Sequence, residues 1–131
     1  MKTKKLIKTL ACLIIILLGS LTVSAHNNNG QLIYNSQEQN GKVIGQTIYK
    51  MNNDVLTNYM KYDYQYNANN QMIENKSMKW DSESNNWIND LRINYTYEGK
   101  TVTTHYYKWD NSNKSFKLIP DMTVSMDNTN L

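Results

Sequence analysis

The sequence predicts an all-β chain: an antiparallel meander of about seven strands with one apolar face, curled over itself or paired with a second copy. Three observations predict it. After residue 25 apolar and polar residues alternate with period two, the mark of half-buried strands. Three segments align without gaps, as hairpin repeats at a constant offset of 29: 40–52 (NGKVIGQTIYKMN), 69–81 (NNQMIENKSMKWD) and 98–110 (EGKTVTTHYYKWD). Asn-, Asp-, Gly- and Ser-rich clusters separate the alternating runs, where turns are needed. No stretch after residue 25 has helical period.

The 131 residues divide into a targeting segment and one domain. Lys2, Lys4, Lys5 and Lys8 form a basic start, an apolar run follows from Leu10, and Val23-Ser24-Ala25 offers the small residues a signal peptidase cuts after. The 16 residues from Leu10 to Ala25 are short for a membrane span, which takes roughly 20. Residues 1–25 are therefore read as a signal peptide and 26–131 as a single β-repeat domain, exported to the periplasm, the cell surface or the medium; an uncleaved anchor is the other reading. Cys12 precedes most of the apolar run, whereas a lipidated cysteine follows it. The mature chain then has no cysteine and no transmembrane segment. Four of the 14 basic residues leave with the signal, so ten face 11 acidic residues. That balance gives no warrant for nucleic acid or anionic membrane as a partner.

The strands are expected in order at 31–36, 42–50, 55–66, 71–80, 87–97, 100–109 and 116–126. Asn40-Gly41, Asn69-Asn70 and Glu98-Gly99 mark one set of turns, since Gly and Asn tolerate positive φ. Asn53-Asp54, DSESNN (81–86) and DNSNKS (110–115) mark the other. The first of this second set is shorter by two, an even number that keeps each side chain on its face. Pro120 has no N–H, so the last strand belongs at an edge or a bulge. Strict alternation puts Met51, Leu56, Met60, Met78, Trp80, Trp87, Leu91, Ile93, Tyr95, Tyr107, Trp109, Phe116, Leu118 and Met122 on one face, with Lys50, Lys79, Lys108 and other polar residues on the reverse.

Two groups on the apolar face are candidates for binding. Trp80 is expected opposite Trp87, and Trp109 opposite Phe116. Such pairs serve as stacking platforms for sugar rings or as cross-strand pairs that hold the sheet, and their recurrence favours the structural role. Tyr62, Tyr64, Tyr66, Tyr95 and Tyr97 form a ladder with Glu74 and His105 expected opposite or near them. This mixed polar and aromatic end suits a ligand that is neither fully apolar nor highly charged. Tyrosines whose hydroxyls reach the sheet rim would look the same. His105 has no Ser-His-acid or Cys-His partner, and Glu74 with Asp81 is a chance carboxylate pair on a charged sheet. No catalytic residue, metal ligand set or cofactor is expected. The 20 asparagines suit turns and sugar hydroxyls alike.

The run Tyr64-Gln-Tyr66-Asn67-Ala-Asn69-Asn70-Gln71-Met72-Ile73 resembles the tyrosine–aspartate (YD) repeat of RHS-type proteins, Y-x-Y-D-x-x-G-R-L, with Asn67 in place of the Asp, and Tyr95-Thr-Tyr97-Glu98-Gly99-Lys100 resembles a shortened form. In those proteins the repeats are hairpins of extended sheets. The whole mature chain, with its K-W-D-x5-[WF] units at Lys79–Trp87 and Lys108–Phe116, is similar to a small family of secreted domains of unknown function from gut Bacteroides-type bacteria. That resemblance implies an exported all-β domain and no established activity.

Together these features predict a non-enzymatic binding or interaction module at the cell envelope or outside the cell, taking a glycan or a surface protein. The alternative is a structural or assembly subunit whose apolar face is sealed by self-association, as a homodimer through that face.

Overall fold

The computed structural model describes residues 30–128 of the chain. The predicted signal segment, 1–25, lies outside the described residues, as do residues 26–29 of the predicted domain. Eight strands make one antiparallel sheet: β1 (Gln31–Gln39), β2 (Lys42–Asn52), β3 (Val55–Tyr66), β4 (Met72–Asp81), β5 (Asn86–Glu98), β6 (Thr101–Asp110), β7 (Ser115–Leu118) and β8 (Val124–Asp127). They lie in chain order from β1 to β7, and β8 also pairs with β6. The sheet is open: among the described residues no strand joins β1 to the β7/β8 edge. The described strands form this open sheet rather than the curled form that the sequence analysis offered beside pairing with a second copy.

The turns follow from residue types that accept positive φ. Asn40 and Gly41 (φ 53 and 73) join β1 to β2, and Asn53 and Asp54 (48 and 61) join β2 to β3, the two-residue loops that match strand twist. Asp81 and Asp110 open four-residue loops of one design. The Asp81 carboxylate accepts the Glu83 N–H at 3.1 Å and the Ser84 hydroxyl at 2.6 Å. The Asp110 carboxylate accepts the Ser112 N–H at 2.8 Å and the Asn113 amide at 2.7 Å. Both loops close on a positive φ, at Asn85 and Lys114. Asn67 organises the β3–β4 connection by accepting the N–H groups of Asn69 and Gln71, each at 3.0 Å.

Strict alternation fails at defined places. In β3 the pairing with β2 steps over Tyr59, and in β5 the pairing with β4 steps over Asp90. These single-residue bulges sit at matching points of their hairpins. A second matching set skips Ile44 in β2 and Ile73 in β4. The last predicted strand breaks at the same point of its hairpin. From Tyr107 to Thr104 β6 advances three positions, while the edge opposite advances six, from Leu118 to Val124. The three extra residues form a 3-10 turn, Pro120–Met122. Ile119 still donates its N–H to the Tyr106 carbonyl at 2.8 Å; Pro120 has no N–H to continue the ladder.

Every one of these insertions in the return strands is odd, so each moves the following residues to the other face. The single apolar face expected from the sequence is therefore divided. Met51, Leu56, Met78, Trp80, Trp87, Tyr107, Trp109, Phe116 and Leu118 share one face, the tryptophan face, at one end of the strands. Met60, Leu91, Ile93 and Tyr95 lie on the opposite face, the tyrosine face. Met122 sits in the 3-10 turn, and Val124 and Met126 register with Thr104 and Val102 on the tyrosine face.

Neither face is covered by a second layer among the described residues. Ile48 is the one buried apolar side chain there, at 7% exposure, with Ser77 and Thr104 the buried polar ones. Val55, Leu56, Leu118, Met122, Val124 and Met126 are exposed. The fold is a single-layer sheet with half-buried faces rather than a layer pair around a core.

Candidate functional site

The tyrosines of the tyrosine face come from four strands, β1, β3, β5 and β6. Tyr34 registers with Ile48, which registers with Met60; Tyr62, Tyr64 and Tyr66 continue along β3. Leu91, Ile93, Tyr95 and Tyr97 of β5 and Tyr106 of β6 lie on the same side. Bulged Tyr59 turns to this side too, where the Lys50 ammonium stands 3.9 Å from its ring centre. Eight of the ten tyrosines thus share one face; Tyr49 and Tyr107 lie on the other. Tyr62 and Tyr64 stack at 6.3 Å with an interplanar angle of 12°. Burial pushes the Tyr62, Tyr64 and Tyr95 hydroxyls above their ordinary value, with neighbouring Asp90 adding for Tyr62 and neighbouring phenols for Tyr64 and Tyr95.

Two of these hydroxyls are already committed. Tyr66 donates to the Val43 carbonyl at 2.8 Å, and Tyr97 to the Met72 carbonyl at 2.7 Å. Both acceptors precede a bulged isoleucine, so each tyrosine clasps its hairpin where the ladder is interrupted. Next to the first clasp, Lys42, Ile44, Tyr64, Tyr66, Asn67 and Asn70 line an open recess. There the Lys42 ammonium stands 5.1 Å from the Tyr66 ring centre and donates to the Asn70 side chain.

Glu74 and His105 are not among the tyrosines. Glu74 registers with Gln65 and Asn94, and Asn94 with His105, all on the tryptophan face. Unbroken alternation would place them beside the tyrosines, and the bulges at Tyr59 and Asp90 invalidate it. Their half of the tryptophan face is polar: Asp63 lies 3.8 Å from Lys61 and 3.5 Å from Lys76. Among the described residues no group of His, Cys, Asp and Glu is arranged to hold a metal ion.

The other half of that face carries the aromatic pairs. Trp80 and Trp87 meet edge to face at 5.1 Å and 68°, and Trp109 and Phe116 at 4.9 Å and 66°. The Arg92 guanidinium covers Tyr107 at 4.5 Å and Phe116 at 4.8 Å. Met51 and Leu56 register with each other in the remaining hairpin, giving a row of three pairs across the sheet. None of the three tryptophans is fully buried.

Asp90 has a role that spacing alone does not reveal. As the bulged residue of β5 it turns to the tyrosine face between two strands. Its carboxylate, 15% exposed, pairs with Lys79 at 3.1 Å and with Lys108. Burial by itself would raise its pKa, but the hydrogen bonds from Lys108 and Lys79 outweigh that and hold it below the ordinary value of 3.8. The signal in the sequence is the coincidence of Lys50, Lys79 and Lys108 when the repeats are aligned, with Tyr59 and Asp90 at equivalent places in the following strands.

Comparison with known proteins gives a family and a fold. A family model described as a family of unknown function, DUF3836, matches residues 1–127. Three crystal structures are similar. A DUF3836 family protein from Bacteroides vulgatus is 53% identical, over 73% of this chain and 98% of that one, with a TM-score of 0.71. Another, from Parabacteroides distasonis, is 28% identical over 77% and 94%, with a TM-score of 0.65. A protein with unknown function from Bacteroides fragilis is 26% identical over 72% and 70%, with a TM-score of 0.64. No curated protein matches. These matches bear on this family and not on tyrosine–aspartate repeats.

Proposed function

The chain belongs to the DUF3836 family of unknown function, and from that premise we propose a non-enzymatic binding module, exported by residues 1–25, that takes a glycan or a surface protein on its tyrosine face. The gathering of eight tyrosines on one side of an open sheet carries this reading. A tyrosine offers flat apolar area and a hydroxyl while giving up little conformational freedom, which suits a sugar ring or a mixed protein surface. Tyr62, Tyr64 and Tyr95 are the contact residues, with the recess beside Tyr64 as the polar end. Tyr66 and Tyr97 hold the hairpins that present them.

Titration of residues 26–131 with soluble glycans and envelope extracts, followed by calorimetry, tests the reading. Tyr64→Ala and Tyr95→Ala should each remove binding while the far-ultraviolet spectrum of the sheet is kept. Unchanged affinity in both variants would sink it.

A second reading has its own support. Leu56 and Leu118, exposed by 53% and 45%, flank the tryptophan pairs, so that half of the tryptophan face has apolar area left to cover. An assembly subunit would use it for self-association. Trp87→Ala then costs about 3–5 kcal/mol, the range for large aromatics in closed cores. For an uncovered edge-to-face pair, worth about 0.5–1.5 kcal/mol beyond its area, the cost stays at about 1–2 kcal/mol. Urea melts of the two proteins separate the cases.

A further inference from the structure

The two edges of the sheet are unlike. On one side β7 and β8 are four residues each, parted by Pro120 and its 3-10 turn, with Lys117 and Asp127 along them. Short strands, proline and charge are the devices that refuse strand addition. On the other side β1 runs nine residues without Lys, Arg or Pro, and its one charge is Glu38. Its inner edge pairs with β2, in unbroken register from Gln31 to Gln37. Its outer edge meets no strand among the described residues, so its free N–H and C=O groups form a template for another strand.

We propose that β1 pairs antiparallel with β1 of a second copy, joining two open sheets into one of sixteen strands. The occupant follows from the edges themselves. The β7/β8 edge is guarded against β1, so head-to-tail stacking is refused, and the unguarded edge left among the described residues is another β1. Pairing of a surface with itself closes after two copies. Centred on Asn35, the register sets Glu38 opposite Leu32 of the partner subunit and opposes no like charges. Asn35 adds a second observation. Its side-chain carbonyl oxygen is buried without a hydrogen-bond partner among the described residues. A half-turn of that amide points the oxygen outward, where the opposing Asn35 amide donates to it, and the exchange is reciprocal. Directly opposed residues stand about 4.5–5.5 Å apart at Cβ, close enough for that bond. The two-fold axis stands normal to the sheet, so both tyrosine faces look the same way. The inference does not depend on what those faces bind.

Sedimentation velocity of residues 26–131 over the micromolar range tests it. A dimer is expected in the parent chain. Asn35→Lys and Asn35→Asp should each sediment as monomers, because like charges then meet across the axis. Mixing the two variants should restore a dimer through the Lys–Asp pair, which shows that each variant is folded. A parent chain that is monomeric throughout overturns the proposal. So does a dimer that survives both charge variants but is lost in Leu118→Lys, since that places the contact on the tryptophan face.

Discussion

Lys114 holds a left-handed backbone at φ 50, where the matching loop has Asn85 at φ 51. An L residue other than Asn, Asp or Gly gives up about 1–2 kcal/mol there. Lys114→Asn should therefore stabilise the protein by about 0.5–1 kcal/mol, read as a higher urea midpoint with an unchanged slope. The side chain is exposed, so little packing is lost with it. Asp90 sets an acid limb. Its folded value lies below the unfolded one, so its contribution is present above about pH 4 and fades as pH falls through the lowered value. Stability of the parent should decline between about pH 5 and about 2, and Asp90→Asn should flatten that decline and cost about 1 kcal/mol at neutral pH. At the alkaline end the sign is opposite. Tyr62, Tyr64 and Tyr95 are raised when folded, so their contribution is full below about pH 10 and lost as pH rises through the raised values. Tyrosine absorbance followed against pH should show these phenols ionising after the rest, and Tyr64→Phe should remove one late proton.

At the level of strands and turns, much is legible in the sequence. Alternation and turn residues locate seven segments, because Asn-Gly, Asn-Asp and Asp-x-x-x signals reflect backbone conformations that few residues accept. Pro120 marks the weak point of the last strand, for the same covalent reason that it interrupts the ladder there. The partition of faces is not legible. A bulge is one residue too many against its neighbour, and the count within a strand does not reveal it; Tyr59 and Asp90 continue their runs without a break in composition. For that reason unbroken alternation groups Tyr62, Tyr64 and Tyr95 with Glu74 and His105, which lie through the sheet from them. The bulges also make a stringent test. Deleting Asp90 would remove the bulge and leave Leu91 opposite Ser77, Asn89 opposite Met78 and Trp87 opposite Trp80, so every other side chain keeps its face and only the carboxylate between Lys79 and Lys108 is lost. The near-ultraviolet signal of the edge-to-face tryptophan pair should therefore survive, and its loss would overturn the assignment of Asp90 as the extra residue.

As a whole, the molecule keeps its stability in hairpins rather than in a core. Unfolding a globular domain exposes apolar surface worth about 12–15 cal/mol/K per residue in heat capacity. With Ile48 the one buried apolar side chain among the described residues, the monomer should fall clearly below that range in calorimetry. A value inside it would mean that a face is covered in solution. Tryptophan emission gives the same answer optically: red-shifted and readily quenched by acrylamide if the pairs stand open, blue-shifted and protected if they are sealed. The β2–β3 and β4–β5 hairpins each carry their own phase correction and their own clasp, Tyr66 to Val43 in one and Tyr97 to Met72 in the next. The bulge and the clasp of a hairpin lie within that hairpin, and ion pairs such as Asp90 to Lys108 reach from one hairpin to the next. The width of the sheet is then an adjustable quantity, like the number of planks in a floor. Gain or loss of a whole unit would widen or narrow the tyrosine surface in steps of two strands, about 10 Å each, and leave every side chain on the side it already faces.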